Sequence, residues 1–485
     1  MTQHYNLIII GAGLSGIGAA CHYMRDCTEI HQGGGDYTIL ESRETMGGTW
    51  DLFRYPGIRS DSDMHTLGYN FKPWTDAKAI ADGPAILKYI KEAAAEYGVD
   101  KHIQFSTRVM SMNWKSDDAR WHITVTDKDG TPREMTANFV ISCAGYYRYD
   151  AGHNPQFEGR EDFGGPVIHP QHWPQDLDHA GQKIVVIGSG ATAVTLVPNL
   201  AKTASHVTML QRTPSYVATL PSKDLFANIT RKILPKNMAY KMARWKNIKR
   251  TDIINSQSRD RPERVKRVLL RGVRKKLGKG YDIEKHFTPS YKPWDQRLCL
   301  VPDSDLFEAI NSGKAEVVTD HIDRFTKDGI ALKSGGHIPA DIIVTATGLR
   351  IRVFGDIKME VDGAAINPAE HFTYNGMMLS DVPNFANIFG YVNASWTLRA
   401  DLIAQYMCRL FNHMEDNGQS IATPRPPKDM MARPWLDFDA GYIQRSIDIM
   451  PKQGDRDPWQ NIQNYKRDRT VIGKAKINDE VLEFR

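Results

Sequence analysis

Apolar positions along this chain come in two spacings. Short unbroken runs at 5–10, 37–40, 183–187, 207–210 and 342–345 have the character of strands covered on both faces. They lead into Gly11, Glu41, Gly188, Gln211 and Ala346. Between them the apolar spacing becomes helical, predicting helices over 14–24, 85–97, 191–200, 303–310 and from about 397 to 414, with Gly98 stopping the second. Alternating stretches at 103–114, 121–126 and 133–143 read as three consecutive strands, the last two joined by the turn Asp127-Lys128-Asp129-Gly130.

Strand, glycine turn and helix follow one another twice. That order predicts an α/β fold with two Rossmann-like dinucleotide-binding domains, the three alternating strands forming a β-meander inserted in the first. Residues 223–279 carry helical patterning and little strand signal, which makes them a helical insertion. The chain divides accordingly into a first domain of 1–147 and 345–485, a second of 148–222 and 281–344, and an insertion of 223–280. From about 419 onward it is rich in Pro and charge, and this tail is expected to wrap the body. No internal repeat stands out beyond the two nucleotide units.

Composition narrows the class. At 485 residues there is ample material for two or three domains, and 41% hydrophobic with 25% charged residues is ordinary for a globular protein. No apolar run reaches the length of about 18 residues that a membrane span needs. The N-terminus lacks the basic region of a signal peptide. Cys21, Cys27, Cys143, Cys299 and Cys408 are odd in number and include no C-x-x-C pair. This argues against a disulfide framework or zinc site, favours buried thiols, and fits a reducing, cytoplasmic setting. The net charge of +5 is uneven: 231–279 holds 18 Lys/Arg against three acids, a local +15 that leaves the remainder at −10. Such a run is usually a solvated helix face. Peripheral association with an acidic membrane surface stays open, and no nucleic-acid motif accompanies the charge.

The chemistry sits at the turns. Gly11-Ala12-Gly13-Leu14-Ser15-Gly16 is G-x-G-x-x-G between a strand and a helix, where backbone can approach a pyrophosphate and the helix N-terminus faces its charge. Glu41 ends the next strand, about where a carboxylate receives hydrogen bonds from a ribose. Gly188-Ser189-Gly190-Ala191-Thr192-Ala193 repeats the motif as G-x-G-x-x-A, the last position still small enough for helix–strand packing. No acid follows here. Arg212 and Thr213 do, and both suit the 2′-phosphate of NADPH. The stretch Gly47 to Asp61 is too irregular for a helix and too long for a turn, with the aromatics and glycines of a functional loop. Asp61 has a plain alternative role as a cap or Asx-turn before Ser62-Asp63-Met64.

Between the two glycine motifs lies Phe163-Gly164-Gly165-Pro166-Val167-Ile168-His169-Pro170-Gln171-His172-Trp173-Pro174, or F-x-G-x-x-x-H-x-x-x-W-P. It resembles the fingerprint of Baeyer–Villiger monooxygenases, flavoproteins that use NADPH and oxygen to insert an oxygen atom beside a carbonyl. The bland alternative is a connector whose His169 and Trp173 only pack. Further strings over 47–64, 185–198 and 294–302 resemble one thioamide-oxygenating subgroup of that family, so the likeness runs nearly the full length.

The resemblance implies FAD in the first site and NADPH in the second, with ketones, thioethers or thioamides as substrates and O2 as co-substrate. It implies that Thr49, Trp50, Asp51 and Asp61 approach FAD and that the Val109 backbone meets adenine. Arg59, Ser60 and Asp61 would face the nicotinamide side. Arg297 takes the position of the cation that stabilises developing negative charge during oxygenation, with Asp61 orienting it. Ala346-Thr347-Gly348 corresponds to the second inter-domain connection. The stretch Gly390 to Thr397 precedes a helix whose N-terminus would point at the flavin. One departure is Gln296, where many relatives carry Lys; its loss shifts weight for phosphate recognition onto Arg212. Two rivals remain, a flavin monooxygenase confined to nitrogen or sulfur and a flavin-free binding scaffold working through its basic insertion. A disulfide reductase is excluded by the lack of a cysteine pair.

Overall fold

The structure is a computed structural model that describes residues 2–27, 36–296 and 298–485. Arg297 lies outside the described residues.

The first domain is built on the strand Gln3–Ile10, flanked in parallel by Tyr37–Leu40 and by the end of Pro132–Ser142. Its apolar run is continuous because both faces are covered. Leu7 and Ile9 point into a core made with the helices Leu14–Asp26, Gly83–Glu96 and Trp396–Asp416. Ile8 and Ile10 point the other way, into a second core with Trp114, Trp121 and Ile123 of the meander. The sheet forks at Pro132–Ser142. Its first half pairs antiparallel with Arg120–Thr126, while its last residues pair in parallel with Phe385–Asn387. Among the described residues this sheet has nine strands.

The single strand expected over 103–114 is in fact two. Ile103–Gln104 closes the parallel sheet beside Tyr37–Leu40, and Arg108–Lys115 opens the meander. Between them Ser106 takes a positive φ of 51° and donates its N–H to the Arg43 carbonyl at 3.0 Å, which turns the chain from one layer to the other. Apolar alternation continues across this corner, so the pattern hides it.

The second domain repeats the plan. Five parallel strands run in the order Ala315–Thr319, His206–Gln211, Lys183–Ile187, Ile342–Thr345 and Val167–Ile168. Ile184 and Val186 face the helix Ala191–Leu200, whereas Val185 and Ile187 face an antiparallel sheet of Ile322–Thr326, Gly329–Leu332 and His337–Pro339.

The insertion leaves after the strand Val217–Leu220 and returns through Cys299–Pro302, which pairs with it in parallel. Between them stand the helices Leu225–Ile233, Lys236–Asp260, Pro262–Leu277 and Ile283–Phe287. Arg244 fixes the insertion to the first domain. Its Nη1 donates to the carbonyls of His65, Thr66 and Gly68 at 3.0, 3.3 and 2.7 Å, and its Nη2 meets Asp401 at 3.2 Å. The tail does fold back onto the body: Trp435, Leu436 and Trp459 are buried, and Leu482–Phe484 pairs with Ala422–Pro424. All five cysteines are buried thiols.

Candidate active site

One cleft is lined by both domains, with Gly11, Gly13 and Ser15 on one side and Ala191, Thr192 and Thr195 on the other. The glycines of each turn differ in what requires them. Gly11 has φ +101°, and a Cβ there would stand 2.6 Å from the Cys143 carbonyl oxygen; one on Gly16 would stand 1.8 Å from the Gly11 carbonyl oxygen. Those two are demanded by packing. Gly13 is not, since its nearest neighbour would be the Gly48 Cα at 3.6 Å. The second turn repeats this. Gly188, at φ +138°, would collide with the Ala346 carbonyl oxygen at 2.4 Å, and the small Ala193 is fully buried, but a Cβ on Gly190 would meet nothing within 4 Å. The middle glycine of each motif keeps open a space the fold does not use, at a helix N-terminus where a pyrophosphate is favoured. The residues therefore fit two dinucleotides.

Glu41 is buried in the cleft wall at the end of its strand. Its Oε2 accepts the Ala12 N–H at 2.7 Å and its Oε1 the Arg43 N–H at 2.9 Å. Burial holds its carboxyl above the usual value, an effect the two amide donors only partly offset. This places a fixed acceptor where an adenosine ribose would present its hydroxyls. Val109 also lines the cleft, beside a register irregularity between it and Ser111.

The loop from Gly47 contains one helical turn, Thr49–Leu52, that its composition did not suggest. Thr49 and Trp50 line the cleft, but Asp51 does not. Its carboxylate is held by Arg43 at 2.7 Å, Arg54 at 3.3 Å and the Thr45 hydroxyl at 2.6 Å, which braces the loop. Arg59, Ser60 and Asp61 all line the cleft. The Arg59 guanidinium is engaged by Asp305, and Ser60 Oγ accepts the Ser62 N–H at 2.9 Å. The helix cap assigned as an alternative to Asp61 belongs to Asp63, whose carboxylate accepts the Thr66 N–H at 3.1 Å. Asp61 does not cap that helix.

In the second turn Ser189 Oγ donates to the Thr213 carbonyl at 2.9 Å, tying the glycine loop to the segment that carries Arg212 and Thr213. Both residues are exposed, and Arg212 makes no ion pair among the described residues. An exposed guanidinium beside a glycine turn suits a phosphate.

Sequence reasoning missed the aromatic wall. Tyr146 and Trp396 stack at 5.3 Å and 6°, and Trp396 Nε1 donates to Ser15 Oγ at 2.7 Å. A Cβ on Gly390 would lie 2.4 Å from the Trp396 ring, so Gly390 was the available clue. Tyr146 comes from a distant part of the sequence, and no local pattern pairs the two.

The fingerprint lies at the crossing of the two inter-domain connections. His169 Nδ1 accepts the Gln171 N–H at 3.2 Å, which leaves Nε2 to donate to the Gly348 carbonyl at 3.1 Å. Burial lowers the His169 pKa, favouring the neutral ring that this geometry needs. Gln171 Nε2 adds a bond to the Arg148 carbonyl at 2.6 Å, and Thr347 Oγ1 one to the His153 carbonyl at 2.5 Å. Both connections are thus clamped by residues between 169 and 171. A second cavity of about 1120 Å³ shares Val392 and Ala394 with the cleft and is walled by Trp294, Phe438 and the helix Lys236–Asp260.

Against known proteins, the model of the flavin-binding monooxygenase-like family matches residues 5–352. The chain belongs to that family. This flavin monooxygenase is 52% identical to the FAD-containing monooxygenase EthA of Mycobacterium tuberculosis (strain ATCC 25618 / H37Rv), over 100% of this chain and 98% of the relative. It is 46% identical to a probable FAD-binding monooxygenase, AlmA, of Acinetobacter baylyi, over 100% and 97%. Its fold is similar to that of OTEMO in complex with FAD and NADP, with a TM-score of 0.75, 21% identity and 100% of both chains covered. It is also similar to cyclohexanone monooxygenase from Rhodococcus sp. Phi1 bound to NADP+, with a TM-score of 0.70, 20% identity and 88% and 87% covered.

Proposed function

We propose that this flavin monooxygenase is of the Baeyer–Villiger type, converting ketones to esters or lactones and oxygenating the sulfur of thioethers and thioamides. Its cofactors are FAD in the cleft and NADPH at the second glycine turn. One atom of O2 enters the substrate, the other leaves as water, and NADPH with one proton supplies the two electrons. When bound, FAD passes those electrons to oxygen. The observation that carries the reading is His169, the histidine of F-x-G-x-x-x-H-x-x-x-W-P, which holds the connection at Gly348 through a neutral ring.

The chain's own residues divide the work. Glu41 orients the adenosine half of FAD, and the Tyr146–Trp396 wall screens the inner end of the cleft. Arg212 and Thr213 select the 2′-phosphate. Arg297 is assigned the cation that stabilises negative charge as oxygen is transferred, with Asp61 in the cleft wall as the carboxylate that orients it. The cavity of about 1120 Å³ that joins the cleft at Val392 and Ala394 would admit substrate.

Arg297→Ala is expected to purify yellow and folded yet lose roughly 10²- to 10³-fold in oxygenation, with NADPH oxidation slowed or diverted to hydrogen peroxide. Product mass after turnover of a cyclic ketone under ¹⁸O2 checks this. Near wild-type ester formation would remove Arg297 from the mechanism. Sulfoxide without any ester from the wild-type enzyme would narrow the function to sulfur oxygenation.

A further inference from the structure

We infer that the insertion docks on an anionic lipid bilayer, sinking the outer faces of its first two helices among the headgroups. In Leu225–Ile233 the residues turned inward are Ala227 and Thr230, while Leu225, Ile229 and Ile233 are 72, 59 and 72% exposed. Spaced four apart, these three form one stripe. Lys236–Asp260 does the same. Its buried face carries Tyr240, Arg244 and Asn247, and its opposite face presents Met238, Met242 and Trp245 at 47, 41 and 63% exposure. A surface helix of a globular protein ordinarily turns its apolar side inward. These two helices, adjacent and in contact, bury mainly small or polar residues such as Ala227, Thr230, Ala239, Ala243 and Arg244 and leave their large aliphatic and Trp side chains outward, and exposed apolar side chains of that kind mark an interaction surface.

Charge decides the occupant. The apolar stripe runs into the 231–279 segment of local net +15, on a chain whose remainder is −10. Beside Trp245 a groove of about 300 Å³ is lined by Lys241, Lys249, Lys466 and Arg469. A bilayer with acidic headgroups satisfies both halves of this surface. Its acyl boundary takes the Leu, Ile and Met side chains, its phosphates meet the long basic ones, and Trp sits naturally at the level between. The acidic body would be repelled by the same membrane, so the molecule is oriented insertion-first. No helix among the described residues is long and apolar enough to cross a membrane, which fits helices lying in the interface plane. The inference does not depend on which atom of substrate is oxygenated.

Flotation of the full-length, FAD-loaded enzyme with vesicles tests it. Wild type should float with phosphatidylcholine–phosphatidylglycerol vesicles and remain behind with phosphatidylcholine alone. The triple variant Leu225→Gln, Ile229→Gln, Ile233→Gln should lose at least roughly tenfold in partitioning, with FAD content and NADPH oxidation in solution unchanged. Lys241→Gln with Lys249→Gln should weaken binding and flatten its salt dependence, a second readout should the triple variant fold poorly. The proposal falls if wild type does not float with the acidic vesicles or if neither variant differs from it. It falls equally if sedimentation equilibrium shows a dimer that the triple variant converts to monomer, which would assign the patch to a second copy of this chain.

Discussion

Tyr37–Leu40 and His206–Gln211 hold equivalent places, each the strand beside its domain's glycine-turn strand, yet one ends in buried Glu41 and the other in exposed Arg212. The difference separates two kinds of nucleotide site. Glu41 is locked by two backbone amides before any ligand arrives, and its negative charge would repel a 2′-phosphate. Arg212 stands in solvent, where its positive charge would attract one. A preorganised, enclosed site suits a resident cofactor, and an open cationic one suits a nucleotide that comes and goes with each turnover.

The largest effect should come from Gly16→Ala in the enclosed site. Its Cβ would overlap backbone at 1.8 Å, a clash no rotamer relieves, and a loss above about 4 kcal/mol is expected. No soluble yellow protein should be recovered. Normal FAD content in this variant would mean the turn can rearrange, and the contrast with Gly190 would collapse.

Next comes the buried ionic network behind the first domain. His22 donates to Asp26 at 3.0 Å and Asp401 at 3.2 Å. Burial alone would lower its pKa, but the two carboxylates outweigh that and raise it to about 9. The folded state therefore holds a proton that the unfolded chain releases near pH 6.5, and the stabilisation is complete below that value and lost as pH rises through about 9. The Tm gap between wild type and His22→Gln should be widest in mild acid and close toward pH 9, an effect on the order of 3 kcal/mol. A gap independent of pH would show that His22 packs without carrying charge.

Arg212→Ala should weaken NADPH about 10- to 150-fold, or about 1.5–3 kcal/mol, and leave NADH nearly untouched. Equal losses, measured as kcat/KM for the two nucleotides, would erase the distinction from Glu41. The smallest change expected is in the stability of Gly190→Ala, within roughly 0.5 kcal/mol, because the new methyl meets nothing. Its NADPH affinity should fall all the same, which separates a glycine kept for a ligand from one kept for the fold.

Three of the five strands covered on both faces were legible to the residue, and the other two to within two residues. Tyr37–Leu40, Lys183–Ile187 and Ile342–Thr345 fall where their apolar runs do, since continuous burial leaves no ambiguity of period. Corners were not. The break at Ser106 costs no hydrophobicity, so 103–114 read as one element. The antiparallel sheet behind the second domain, Ile322–Thr326 with Gly329–Leu332 and His337–Pro339, was not marked out, since its strands are only three to five residues long. In the cleft wall, the first glycine turn and Glu41 were readable from spacing, and Thr49 and Trp50 from the family resemblance. Those set by long-range pairing were not. Tyr146 meets Trp396 only once the sheet is built. Nothing in the basic run marks Arg244 as the cation that goes inward.

That inward arginine also bears on how this sequence can drift. His22, Arg244 and Asp401 come from three separate helices yet share one buried set of charges. Replacing Arg244 alone would strand the Asp401 carboxylate with one histidine and the Asn70 amide, and would take a donor from the carbonyls of His65 and Gly68. Replacing Asp401 alone would take away the carboxylate that Arg244 and His22 share, leaving His22 with Asp26 alone. Single steps at these positions are penalised, while a concerted exchange for apolar residues of similar volume is not. The insertion begins and ends in adjacent strands, as an exchangeable cassette would, but its ancestry is bound to that of the first domain: the two can be recombined between relatives only as a matched pair.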